Sequence, residues 1–151
     1  MRSSSKETIL MNLLKRVILI ITLVLAPITI CHAVDKEVTC LAKNIYHEAR
    51  GESLKGQVAV ALVTLNRTKH ENYPGTVCGV VYDKGQFSWT SAPTRIVNNT
   101  AWKSSIELAE AVLEGNITLP NFNALYFHNV SIRPKWKTQV RPLRIGNHVF
   151  F

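Results

Sequence analysis

The stretch CLAKNIYHEARGESLKGQVAVALVTLN, Cys40–Asn66, decides how this chain folds. Counted from Val38, the apolar residues Val38, Leu41, Ala42, Ile45 and Ala49 fall at offsets 0, 3, 4, 7 and 11. That is the repeat of a helix burying one stripe. Gly51 is placed to end it, and Ser53 to cap a second helix running to about Lys69. Val58–Val63 and Leu65 make the second helix apolar nearly all round, so it is expected to be a buried strut. Glu48 and Glu52 continue the first stripe, while Tyr46, His47 and Arg50 are assigned to other faces. A carboxyl at the edge of a core-facing stripe is costly to ionise, so its pKa should rise. A carboxyl raised in that way is prepared for general acid chemistry near neutral pH.

Upstream of this stretch, Arg2, Lys6, Lys15 and Arg16 face one acid, Glu7, and the 14-residue apolar run Val17–Ile30 follows. With Cys31-His32-Ala33 at its end, the pattern predicts a signal peptide over residues 1–33. An uncleaved anchor is the alternative, but the run is shorter than the ~20 residues of a spanning helix, and Pro27 interrupts it. Residues 34–151 then suffice for one compact domain. The full chain is net +8, and four of its 18 basic and one of its 10 acidic residues lie in the leader, leaving +5. In an exported protein this charge fits an anionic cell envelope better than nucleic acid, and an ordinary basic surface explains it equally well. Membrane contact is expected only through the leader, and the domain is expected to be a monomer. Beyond the leader, Cys40 and Cys78 remain, an even count that predicts a disulfide in an oxidising compartment.

Downstream, Pro74-Gly75 marks a turn and Val77–Tyr82 reads as a short strand. Gln86–Trp89 alternates polar and aromatic residues, as a short strand or a cleft-lining loop does. A third helix is expected over Ala101–Glu114, capped by Thr100 or Asn99 and closed by Gly115. Ala124–His128 reads as a strand, Asn129–Lys137 as a basic aromatic loop and Ile145–Phe151 as a closing strand. The fold class is α+β, mainly helical with short antiparallel strands.

Among candidate chemistries, a zinc-protease pattern fails because His47-Glu48 is followed by Ala-Arg-Gly, with no second histidine. His128 and His148 could pair with a carboxylate in a metal-dependent amidase or peptidase, yet short-range ligand spacing is missing. Core packing accounts for Phe87 and Phe127, while strand alternation sends Gln86, Ser88, Tyr126 and His128 to other faces. Sugar sites mix aromatic walls with a few polar points. The substrate-binding candidates are therefore Glu52, Gln86, Ser88, Trp89, Tyr126, His128 and Asn129. A non-catalytic wall-binding domain is the remaining alternative. No metal or other cofactor is expected.

The runs Ile45-Tyr46-His47-Glu48-Ala49-Arg50-Gly51-Glu52, Gly56–Ala61 and Asn66-Arg67 resemble the spore-cortex-lytic cell wall hydrolases (SleB type). Gln86–Trp89, Ala124–His128 and Ile145–Phe150 are similar too, in the same order, so the likeness covers nearly all of residues 34–151. It implies a lysozyme-like fold, peptidoglycan glycan strands as substrate, and cleavage of the MurNAc–GlcNAc bond as a lytic transglycosylase. The single catalytic glutamate of that family matches Glu48.

Overall fold

A computed structural model describes residues 11–12, 36–133 and 141–151. Apart from Met11 and Asn12, the expected leader lies outside the described residues, as does the 134–137 part of the basic loop. Among the residues searched, no helix is long and apolar enough to cross a membrane. Lys36–Phe151 pack as one unit.

Helix α1 (36–49) buries Val38, Leu41, Ala42, Ile45 and Ala49, the stripe expected from its spacing. It also buries Tyr46, which had been assigned to another face. The Tyr46 hydroxyl accepts hydrogen bonds from the backbone N–H groups of Val97 and Asn98, at 3.1 and 3.0 Å, so a polar tip reconciles the ring with burial. Helix α2 (Leu54–Thr68) is capped by Ser53, whose side chain accepts from Gly56 N–H. It is the strut expected. Val58, Ala61 and Leu62 meet α1, while Ala59, Val60 and Val63 form a second cluster with Ala49, Ile145 and Phe150. Inside the first contact, the Asn44 amide donates to Thr64 Oγ1 at 3.0 Å.

Val77–Val81 is a helix, α3, and not the strand expected. A short apolar run carries no decisive period, and here the termini decide. Thr76 caps the helix, the Glu37 carboxylate accepts from Val77 N–H at 2.6 Å, and Cys78 is bonded to Cys40 of α1. Acidic groups at a helix N-terminus are favoured by the exposed N–H groups there. The expected Cys40–Cys78 disulfide is thus present.

Ser88–Ser91 forms a 3-10 turn, so of the two alternatives for Gln86–Trp89 the loop holds and the strand does not. Helix α4 (Asn99–Leu113) starts two residues before the expected position, because Asn98 supplies the cap by accepting from Ala101 N–H. Its buried line is Ser105, Leu108, Ala109 and Val112, with the partly buried Trp102, Ile106 and Leu113 packed beside it. Gly115, at φ +76°, follows its C-terminus, as a helix-ending glycine should.

Three short antiparallel strands, β1 (Phe127–Asn129), β2 (Leu143–Ile145) and β3 (His148–Phe150), lie in the order β1-β3-β2. Ile145–Phe151 is therefore not one strand. Ile145 pairs with His148 across Gly146-Asn147, and Gly146 has φ +57°, a two-residue hairpin turn with glycine first. Residues 124–126 fall outside β1, although Tyr126 N–H donates to the Phe151 carbonyl at 2.9 Å and Phe151 N–H returns a bond at 3.0 Å.

Candidate active site

Glu48 sits in the last turn of α1, half-buried. Burial pushes its pKa above the ordinary carboxylate value, and the indole N–H of Trp89 pulls the other way from beside it. That N–H is itself buried and meets no acceptor at hydrogen-bond geometry. Desolvation therefore dominates, and the protonated carboxyl is the favoured form over a wider pH range than in water.

Trp89 is the hub of an aromatic wall. One face stacks on His47, with ring centroids 4.5 Å apart and planes at 23°. Its other neighbours include Tyr82 at 6.1 Å and Phe87 at 6.4 Å. Phe87 continues the wall to Phe127 at 6.5 Å. His47, expected on an unrelated face, is thus part of the site. Its Nε2 lies 3.2 Å from Thr94 Oγ1. Burial, followed by the charges of Arg50 and Lys43, holds its pKa below the usual histidine value.

Glu52, four residues beyond Glu48, has a different environment. Its carboxylate accepts from Asn147 N–H at 3.1 Å and from the Asn147 side-chain amide at 3.0 Å. A Cβ at Gly146 would collide with Glu52 Oε2. His148 Nδ1 stands 3.9 Å from Glu52 Oε1 and has no hydrogen-bond partner among the described residues. Burial lowers the His148 pKa, against the pull of the Glu52 charge. Glu52 is a clasp between the α1–α2 turn and the β2–β3 hairpin.

The remaining candidates are dispersed. Ser88 is exposed at the start of the 3-10 turn, and the Gln86 amide reaches Asp83 Oδ2 at 3.4 Å. Tyr126 and His128 both flank Phe151, at 5.6 and 5.8 Å, whereas Phe127 between them faces Phe87. Asn129 accepts from Ser131 N–H at 2.9 Å. Tyr126 lines a separate concavity of about 510 Å³ with Phe122, Leu143 and Phe151; none of its lining residues is acidic, so volume is a poor guide to the chemistry here. Among the described residues, no group of three or more His, Cys, Asp or Glu is placed to hold a metal ion.

Two features lacked a readable signal. Arg67 is buried at the end of α2, donating through Nε to the Leu125 carbonyl at 2.7 Å. Its guanidinium lies over Tyr73, Phe87 and Tyr126 at 5.2, 5.6 and 5.8 Å, a set of cation–π contacts. The second is Asn147, whose role as the Glu52 donor depends on residues 95 positions apart.

The arrangement is lysozyme-like: a mainly helical α+β domain with an acid at the end of a core helix beside an aromatic wall. Residues 51–151 match the cell wall hydrolase family. Spore cortex-lytic enzymes of Oceanobacillus iheyensis and Bacillus cereus are each 36% identical over 120 residues, which is 77% of this chain and 41% and 44% of theirs. The chain thus spans less than half the length of these relatives. The crystal structure of the catalytic domain of the Bacillus cereus SleB protein superposes with a TM-score of 0.59 at 32% identity, covering 77% of this chain and 89% of that one. The catalytic domain of the germination-specific lytic transglycosylase SleB from Bacillus anthracis gives 0.52 at 34% identity, covering 76% and 92%. This chain belongs to the cell wall hydrolase family.

Proposed function

We propose that this enzyme cleaves the MurNAc–GlcNAc bond of peptidoglycan glycan strands as a lytic transglycosylase, with Glu48 as general acid and then base. The observation that carries this reading is the half-buried Glu48 carboxyl, its pKa raised by burial, beside the Trp89 indole. Protonated Glu48 donates to the glycosidic oxygen as the C1–O bond breaks, and the GlcNAc side leaves as an alcohol. The sugar's own C6 hydroxyl then bonds to C1 and returns its proton to the Glu48 carboxylate. A 1,6-anhydro ring closes, no water is consumed, and one carboxylate serves both steps. Trp89, half-buried, supplies the apolar side of the sugar site, with Gln86, Ser88, Tyr126, His128 and Asn129 as outlying polar contacts. The enzyme acts outside the cytoplasm as a monomer, on the wall and not on nucleic acid, with residues 1–33 as its export signal; the Cys40–Cys78 bond fits an oxidising compartment.

Mass spectrometry of digested peptidoglycan tests this. Anhydro-MurNAc ends are the expected product, reducing ends would instead indicate hydrolysis by water, and an unchanged wall would refute both. Glu48→Gln should abolish whichever activity is found while leaving the fold intact.

A further inference from the structure

The Trp89 indole N–H is buried beside Glu48 without a hydrogen-bond partner among the described residues. Leaving a buried donor unmet is costly, so the ring needs something to hold it there. Its own turn does little of that. Ser88–Ser91 buries none of its residues and has no side-chain cap. The Thr90 hydroxyl and N–H both donate to the Phe87 carbonyl, at 2.7 and 3.2 Å; these bonds fix the backbone and not the indole torsions. The restraint on the ring comes from α1. Among the described residues, His47 is its nearest and most nearly parallel ring neighbour, at 4.5 Å and 23°. Tyr82 meets the indole edge-on at 6.1 Å and 71°, and Phe87 lies 6.4 Å away.

His47 is itself held from two sides. Its Nε2 is 3.2 Å from Thr94 Oγ1, and the buried Tyr46 ring meets it edge-on at 5.1 Å. Three consecutive residues of α1 thus divide the task. Tyr46 anchors the loop after the turn through Val97 and Asn98 N–H, His47 backs the indole, and Glu48 presents the acid. A helix backbone fixes the spacing between neighbours, so the surface behind the indole and the carboxyl move as one. The imidazole also stays neutral, since burial and then the Arg50 and Lys43 charges oppose its protonation. A cation on the residue next to Glu48 would favour the carboxylate and undo its raised pKa. We infer that His47 is a positioning residue, whose ring face keeps the Trp89 N–H beside Glu48 for the negative charge that appears there when the proton leaves. A donor unmet before the transfer is met after it, so the contact strengthens along the reaction. The imidazole nitrogens take no part in the transfer. The inference rests on the acid role of Glu48 proposed above.

Hydrogen exchange at Trp89 Nε1, followed by NMR of the full chain, reads the restraint on the ring without any substrate. His47→Ala should speed that exchange about ten-fold, the upper scale of one stacked aromatic pair. His47→Phe, which keeps a flat ring and no nitrogen, should stay within about two-fold of wild type. Cleavage of glycan strands should follow the same order, with kcat down about ten-fold in His47→Ala and recovered in His47→Phe. In a Trp89→Phe background no N–H remains to be placed, so adding His47→Ala should cost less than about two-fold more. Unchanged indole exchange in His47→Ala overturns the assignment. So does a His47→Phe variant as impaired as His47→Ala, or an undiminished His47→Ala loss in the Trp89→Phe background. Faster indole exchange in His47→Ala of a protein that cuts no glycan would uphold the restraint on the ring and refute the acid role of Glu48 instead.

Discussion

Glu48 and Glu52 are the same residue type one helical turn apart, and the chain treats them in opposite ways. Glu48 is desolvated by burial, and the Trp89 N–H beside it makes no formed hydrogen bond among the described residues. Around Glu52 two donors from Asn147 are in place and a histidine stands 3.9 Å away. The first environment withholds the contacts that stabilise a carboxylate; the second supplies them. Unmet electrostatic demand is what a proton donor requires, while satisfied demand makes a structural tie. Position on the helix cannot separate the two, because the donors that distinguish them come from elsewhere in the chain.

The largest expected effect follows directly. Glu48→Gln should lower glycan cleavage roughly 10²–10⁴-fold, the usual span for a positioned acid or base. Glu52→Gln, measured alongside, should keep readily detectable cleavage, and equal losses in both would erase the distinction between them. Stability should move in the other direction. The raised pKa of Glu48 means that folding favours its protonated form, so that contribution is complete below the unfolded value near ~4.3 and is lost as pH rises through the folded one. Glu48→Gln should accordingly raise Tm at pH 8 relative to wild type and do so far less at pH 4, as calorimetry would register.

Next in size is the bond that fixes α1. Reducing Cys40–Cys78, or replacing both cysteines by serine, should cost about 4 kcal/mol on the loop-entropy scale, read from denaturant unfolding; a loss below about 1 kcal/mol would mean that packing alone holds α1 against α3. Smaller again is the clasp. Glu52→Ala should cost about 1 kcal/mol through the loss of two hydrogen bonds to a charged group, the exposed Asn147 donors turning to water instead. Gly146→Ala should cost about the same for its positive φ alone, with the Glu52 collision added. If the two changes prove additive, the contact between them is not coupled.

The subtlest effect is on the pH profile. Trp89→Phe removes the N–H that lowers the Glu48 pKa, so the alkaline limb of activity should move to higher pH. A shift to lower pH would mean that the wall, and not the indole dipole, sets the acidity.

The helical half of the domain was legible because its determinants are local. The α1 stripe, the Ser53 cap, the all-round apolar α2 and the Gly115 stop each lie within a few residues of what they control. The stripe edge likewise marked Glu48 as a desolvated carboxyl, but its contrast with Glu52 depends on Asn147 and Trp89 from far along the chain. The misread segments depend on distant partners. Val77–Val81 becomes helical with a carboxylate from Glu37 and a disulfide from Cys40 at its N-terminus. Ile145–Phe151 splits at a Gly-Asn pair, a hairpin signal present in the residues but outweighed by the apolar ones around it. His47 was assigned away from the site because nothing in α1 announces that Trp89, 42 positions later, will stack on it.

The clasp at Glu52 also separates the molecule by how readily its parts open. Closing a chain over the 95 positions between Glu52 and Asn147 costs only about 0.8 kcal/mol more than over the 38 of the disulfide, but the clasp is held by hydrogen bonds and the disulfide by a covalent bond. The hairpin can therefore lift as a local unit while α1 and α3 stay joined. The Asn147 amide, released whenever Glu52 lets go, should exchange its hydrogen faster than amides in the middle of α2.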